Sequence, residues 1–259
     1  MIGRGLLVSV RDPSEVDDAI ASGAAVIDVK EPAAGSLGAA EAATVAAVAH
    51  RVGGRVPWTM AAGELADGLD AITALVSAVA SSPGPRHPGP NAAKAGLAGM
   101  AGRDWRGGLE RLAAVLPADC VHVAVGYADF DRVAAPVPTE VIEVAGRIGC
   151  GMILIDTADK RGPGLFGVRT ATELADWVAL ARARGLGVAL AGRLTLADIR
   201  RAARLEPDLV AVRSAVCSNR AEQSGWAAGP RDPRLGRIDP DLVSAAVEAA
   251  RPSAAGAST

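Results

Sequence analysis

Two rhythms alternate along the chain. Short, nearly continuous apolar runs at 5–10, 24–30, 56–62, 120–127, 152–157, 187–191 and 209–213 read as strands buried on both faces. Between them lie longer stretches with helical spacing, at about 13–21, 41–51, 69–80, 106–115, 139–148, 170–184, 196–205 and 239–250. The 170–184 stretch is the clearest, with Leu174, Trp177, Val178 and Ala181 on one face. Asp12 and Pro13 mark the first helix start, as cap and first-turn residue, and Gly23 and Gly185 mark stops. The segment 91–97 is mostly alanine and a poor strand by propensity; the repeat requires a strand there. Eight strands alternating with eight helices predict an α/β fold, a closed (β/α)8 TIM barrel forming one domain over residues 1–251. The alternative is a doubly wound open sheet, but no Gly-x-Gly-x-x-Gly opens a helix after the first strand. Four prolines make 81–90 a surface loop, 218–237 reads as a long loop, and the small-residue tail 252–259 is expected to be disordered.

Composition narrows the picture. The 259 residues are close to the roughly 250 of one such barrel. Aromatics make up only 3% against 50% hydrophobic residues, so the core must be built from Ala, Val, Leu and Ile. A net charge of -2 with interspersed signs argues against nucleic-acid and membrane partners. Cys120, Cys150 and Cys217 are odd in number and each adjoins an apolar run, as buried reduced thiols do, and His50, His87 and His122 have no metal-ligand spacing. No charged segment leads into a long apolar one at the start, and no apolar run reaches the ~20 residues that span a bilayer. A cytoplasmic protein is expected.

The chemistry is suggested by lysine usage. Of 27 Lys and Arg residues only Lys30, Lys94 and Lys160 are lysine. Arginine serves wherever a fixed positive charge is enough, but it cannot give up its proton to become a nucleophile or base. Each lysine ends or lies within a predicted strand region, in Val26-Ile27-Asp28-Val29-Lys30, in Ala92-Ala93-Lys94-Ala95-Gly96, and after Ile153-Leu154-Ile155-Asp156. These are alternate strands, and active sites of such barrels lie at the carboxyl ends. Amines gathered in a poorly solvated site lower one another's pKa, and a partly neutral lysine can form a Schiff base. Asp28 and Asp156 can move protons beside it or, on the plainer reading, only balance buried charge. After strands seven and eight, Gly192 with Arg193 and Arg213 with Ser214 are candidates for holding a phosphate. Together these features suggest carbonyl chemistry on a small sugar phosphate, with aldol and isomerase reactions equally compatible.

The blocks Ile27-Asp28-Val29-Lys30-Glu31-Pro32 with Gly35-Ser36-Leu37-Gly38, Lys94-Ala95-Gly96-Leu97, Gly126-Tyr127-Ala128-Asp129, Leu154-Ile155-Asp156-Thr157-Ala158 with Lys160, Ala189-Leu190-Ala191-Gly192, Val212-Arg213, and Gly236-Arg237-Ile238-Asp239 occur in this order. In these the chain resembles the (5-formylfuran-3-yl)methyl phosphate synthase family of methanofuran biosynthesis. The resemblance implies a (β/α)8 lyase that joins two glyceraldehyde 3-phosphate molecules into 4-(hydroxymethyl)-2-furancarboxaldehyde phosphate, releasing phosphate and two waters. It implies a Schiff base on Lys30, Lys94 as proton acceptor, and Asp28, Asp156 and Lys160 as supporting acid-base groups. It implies no organic cofactor and no metal, a triose phosphate as the small-molecule partner, and a homo-oligomer. The chain departs from the family pattern in the longer 81–90 loop, in the expanded segment after Cys217, and in the tail. Its alanine- and arginine-rich composition points to a GC-rich bacterium, where the product would feed a methanofuran-like cofactor or a furan secondary metabolite. Another Schiff-base aldolase of triose phosphates, and a non-catalytic binding barrel, are the competing readings.

Overall fold

The computed structural model describes residues 2–81, 89–218 and 232–251. Most of the 81–90 loop, the centre of 218–237 and the tail 252–259 lie outside the described residues. Eight parallel strands close in sequence order into a barrel: β1 (Gly5–Val10), β2 (Val26–Val29), β3 (Trp58–Glu64), β4 (Ala92–Gly96), β5 (Val121–Tyr127), β6 (Met152–Asp156), β7 (Gly187–Leu190) and β8 (Leu209–Val212). β8 pairs back onto β1, so no sheet edge is left open.

The helices that cover the barrel are α1 (Val16–Ala21), α2 (Ala42–Val52), α3 (Leu69–Ala80), α4 (Trp105–Val115), α5 (Pro138–Arg147), α6 (Leu165–Val168), α7 (Ala171–Ala183), α8 (Leu196–Ala203) and α9 (Pro240–Ala250). Their starts follow from local chemistry. Asp12 accepts the Ser14 N–H ahead of a short 3-10 turn, and Thr170 and Thr195 form reciprocal capping boxes with Glu173 and Asp198.

β3 runs from Trp58 to Glu64, two residues later than its apolar pattern predicts. Pro57 has no N–H to give to a ladder, and the far end is prolonged by a register shift between Ala61 and Glu64. β4 forms despite its alanines because β3 and β5 both pair with it along its length. The expectation of a single loop over 218–237 is corrected at its ends. β9 (Cys217–Ser218) and β10 (Arg237–Ile238) form a small antiparallel ribbon, with a 3-10 turn at Pro233–Leu235. The one-turn helix α6 was not anticipated either.

Side chains sort into two cores. Val8, Ile27, Met60, Ile153, Val188 and Val210 point outward and pack under the helices. Leu7, Val26, Ala61, Ala92, Val123, Met152, Ala189 and Leu209 point inward, and Ile2 packs with them. Several inward positions are alanine, so the interior is not filled up to its mouth. Among the described residues no helix is long and apolar enough to cross a membrane.

Candidate active site

The cavity enters the barrel at the carboxyl ends of the strands and holds about 780 Å³ of empty space, its open mouth included. That is within the range of small-molecule sites. Its floor is apolar, with Leu7, Ala92, Val123, Met152, Ala189 and Leu209. The charge is collected above that floor. Asp28, Lys30, Lys94, Asp156 and Lys160 all line this cavity, and so do Gly192, Arg193, Arg213 and Ser214.

Barrel geometry explains the convergence. Inward positions of alternate strands lie in one layer, and Asp28, Lys94 and Asp156 come from β2, β4 and β6. Asp28 and Lys94 form an ion pair with side chains only 2% and 7% exposed. The other lone pairs of Asp28 are also used: Thr59 Oγ1 donates to Oδ1 at 2.6 Å and Ser9 Oγ donates to Oδ2 at 3.1 Å. On the opposite side, Lys160 Nζ donates to Asp156 Oδ1 at 3.0 Å and also to the Thr157 carbonyl. Asp156 accepts the Thr157 N–H at 2.7 Å and the Ser36 hydroxyl at 3.3 Å. The loop carrying Lys160 is held by buried Asp129, which accepts the N–H groups of Ala158 and Asp159, each at 2.8 Å.

Lys30 is different. Two carboxylates face three lysines, and each carboxylate is paired with one of the other two. Among the described residues Lys30 forms no ion pair within 4.0 Å. Burial pushes its ammonium pKa down to about 8, and the charges of Lys160 and Lys94 push the same way against the pull of Asp156 and Asp28. Burial would by itself raise the Asp156 carboxyl. The ammonium groups of Lys160 and Lys30 and the Thr157 N–H outweigh it, so this carboxyl is held below its ordinary value. The site therefore places an easily neutralised amine between two anchored lysine–aspartate pairs.

Arg213 lines the cavity with its donors engaged elsewhere. Its guanidinium is buried and directed into the protein: it forms a two-pronged pair with Glu15, at 2.6 and 3.0 Å. Its remaining donors go to the carbonyls of Ser9, Arg234 and Gly236. No donor remains for a phosphate, so Arg213 ties β8 to the ribbon and to the turn before α1. Arg193 is exposed at the rim, in the left-handed region at φ 50°, and donates to the Gly162 carbonyl. Gly192 has φ +111°, and a Cβ there would press on Thr157, so the chain passes close to β6 at this point. Arg234, not singled out from sequence, also lines the cavity and is held by Asp232. Ser9, Ser36, Thr59 and Thr157 were missed as well. Ser9 and Thr59 did carry a signal, as lone polar residues in apolar runs.

Comparison with known proteins assigns the sequence to a family. The profile of the 4-HFC-P synthase family matches residues 6–225. The (5-formylfuran-3-yl)methyl phosphate synthase of Methanocaldococcus jannaschii is 33% identical over 253 residues, covering 92% of this chain and 96% of its own. That of Archaeoglobus fulgidus is 32% identical over 219 residues, covering 82% and 90%. A putative one from Methylorubrum extorquens is 36% identical over 212 residues, covering 82% of each chain. Among solved structures, the 3-hexulose-6-phosphate synthase of Salmonella typhimurium superposes with a TM-score of 0.61 at 13% identity, covering 95% of this chain and 100% of its own. At that identity the likeness concerns the barrel fold alone. By profile and by relatives over most of its length, the chain belongs to the 4-HFC-P synthase family.

Proposed function

We propose that the protein condenses two molecules of glyceraldehyde 3-phosphate into 4-(hydroxymethyl)-2-furancarboxaldehyde phosphate, with release of one phosphate and two waters, through a Schiff base on Lys30. The observation that carries this reading is the state of Lys30: a half-buried lysine whose desolvated amine, with its pKa lowered to about 8, lies beside two lysine–aspartate pairs. An amine titrating there is neutral, and so nucleophilic, about a tenth of the time at pH 7, a few hundred times more often than an ordinary lysine. Attack on a triose carbonyl expels water and leaves an imine, which acidifies the neighbouring C–H. Its removal gives an enamine, the carbon nucleophile that joining two trioses requires. Lys94 and Asp28 act as one proton-transfer pair and Asp156 and Lys160 as another, which suits a sequence of eliminations needing both base and acid. Two trioses held in one cavity react as if in a single molecule. The backbone at Gly192 and Ser214, with Arg193 and Arg234 at the rim, is suited to hold a phosphate there. The reaction needs no organic cofactor on this reading, and its triose phosphates are those of the cytoplasm.

The test is incubation of the purified protein with glyceraldehyde 3-phosphate alone, following inorganic phosphate and the ultraviolet absorbance of the furan aldehyde. Both are expected to appear together, and both to fall at least a hundredfold in Lys30→Arg, which keeps charge but not nucleophilicity (an order-of-magnitude expectation). Borohydride trapping of substrate on Lys30 without furan would indicate a different Schiff-base reaction. No trapping at all would overturn the catalytic assignment.

A further inference from the structure

Next to the lysine site, on the opposite side of Asp156 from Lys160, a second acid-base arrangement is built into the barrel mouth. Tyr127, fully buried at the end of β5, donates its hydroxyl to Glu64 Oε1 at 2.6 Å. The Ala98 N–H donates to Glu64 Oε2 at 3.0 Å. The Ser36 hydroxyl donates to the Thr157 carbonyl at 3.0 Å and reaches Asp156 Oδ2 at 3.3 Å, and it lies near enough to the Tyr127 hydroxyl to lower its pKa. Hydrogen bonds thus join Asp156 to Ser36 and Tyr127 to Glu64, and a turn of the Ser36 hydroxyl from the Thr157 carbonyl toward Tyr127 joins the two pairs. Glu64 is half-buried, while the other three are buried.

Three separate features of the fold produce this path. The register shift in β3 includes Gly63 at φ +100° and sets Glu64 opposite Gly96, on the side that simple alternation would deny it. Gly96 leaves the space: a Cβ there would overlap both the Glu64 carboxylate and the Tyr127 hydroxyl. The loop after β2 closes through Glu31 N–H donating to the Gly38 carbonyl at 2.9 Å, which presents Ser36 to Asp156. Tyr127 lies in an inner core otherwise made of aliphatic side chains, where phenylalanine would fill the same space. Packing alone does not explain its hydroxyl.

We propose that Glu64 and Tyr127 form a proton-holding pair, coupled through the Ser36 hydroxyl to Asp156, which takes up and returns the proton that Asp156 handles in each turnover. A proton leaves Asp156 for the Ser36 oxygen as the Ser36 proton passes to the Tyr127 oxygen and the Tyr127 proton passes to Glu64. One proton leaves the Asp156 end and one arrives on the Glu64 carboxylate, and the return reverses the three transfers. Glu64 is suited to hold it. Burial raises its pKa, the charges of Asp67 and Asp156 add to the rise, and the bonds from Tyr127 and Ala98 reduce it. The catalytic use of the pair rests on the function proposed above, whereas the coupling does not. Glu64, Tyr127 and Ser36 act through Asp156 and are positioning residues.

The chain has a single tyrosine, so tyrosine labelled with carbon-13 at Cζ reports on Tyr127 alone. Its resonance should show one step on the acid side, above the roughly 4.3 of an ordinary glutamate. The step should vanish in Glu64→Gln and move by about half a pH unit or more in Ser36→Ala, which leaves the charge of Asp156 in place. A flat resonance, or a step unmoved by Ser36→Ala, would overturn the coupling. In turnover, Glu64→Gln and Tyr127→Phe should each lower kcat about tenfold, less than the 10²–10⁴-fold typical of a direct acid or base, with KM within about twofold. Both should also remove one ionisation from the pH profile of kcat. A profile that keeps every limb in both variants would make the pair structural. If the wild-type protein releases no phosphate, the proposed function falls, and the resonance still decides the coupling.

Discussion

At the residue scale, Arg213 and Glu15 show how an apparent ligand can be a structural tie. Arg213 follows β8, near a position where barrels often hold phosphate, yet its donors are all used within the protein. Both side chains are only 3% exposed, so removing either leaves a buried charge without its counter-charge. Breaking such a pair costs about 3–5 kcal/mol. Glu15→Ala should therefore lower the stability measured by urea unfolding by about that amount, and Arg213→Lys should recover only part of it, since one ammonium cannot replace a planar fork. Measured below its unfolding temperature, Arg213→Met should keep KM for triose phosphate within about threefold, far short of the hundredfold or so (roughly 3 kcal/mol) expected if a direct charged contact to phosphate were lost. A KM rise of that larger size would return Arg213 to the substrate.

At the element scale, β4 is the strand that packing decides most fully. Its sequence, Ala-Ala-Lys-Ala-Gly, has little strand propensity, but its last residue, Gly96, leaves room for the Glu64 carboxylate and the Tyr127 hydroxyl. Gly96→Ala tests this, because the added methyl overlaps Glu64 and Tyr127 together. Overpacking of this kind costs about 1–3 kcal/mol. The melting temperature should fall, and the Tyr127–Glu64 bond should be lost from the Cζ resonance before the fold is lost. The same strand shows what could be read from sequence. The barrel was legible because seven apolar runs alternate with helical stretches and the repeat requires an eighth strand at 91–97, and the lysines stood out in a chain that otherwise uses arginine. Glu64 was not legible: counting alternately from inward Thr59 and Ala61 points Glu64 outward, and only the register shift turns it back. The partner of Arg213 lies 198 residues away and leaves no local pattern, and the two-residue strands β9 and β10 are too short to show a period.

At the scale of the whole molecule, the arrangement that makes Lys30 reactive also makes the fold less stable, and the two effects share one pH dependence. The folded protein holds the Lys30 ammonium with a pKa of about 8, against the 10.5 of an ordinary lysine. Between these values the unfolded chain carries a proton that the folded chain has released, so folding stability rises with pH across that interval. Below about 8 both states are protonated and the full burial penalty is felt. Lys30→Met removes the charge but keeps an unbranched chain. It should be more stable than wild type near pH 7 by about 1–3 kcal/mol. The difference should stay constant between about pH 6 and about 8 and shrink as pH rises from there toward 10.5, while groups remote from Lys30 contribute equally to the two proteins. The rate of imine formation with glyceraldehyde 3-phosphate should follow the same ionisation, rising with pH and levelling just above 8, whereas an ordinary lysine would go on accelerating toward 10.5. Paired urea titrations of the two proteins at pH 6, 7, 8, 9 and 10 (about one unit apart, wide enough to resolve a single group) measure the first effect. A gap that does not change with pH would mean that Lys30 carries no burial penalty, and the levelling of imine formation would then need a different group to explain it. If both curves bend at the same pH, the nucleophile and the destabilising charge are one amine, placed where two aspartates steady its neighbours and leave it without an ion-pair partner among the described residues.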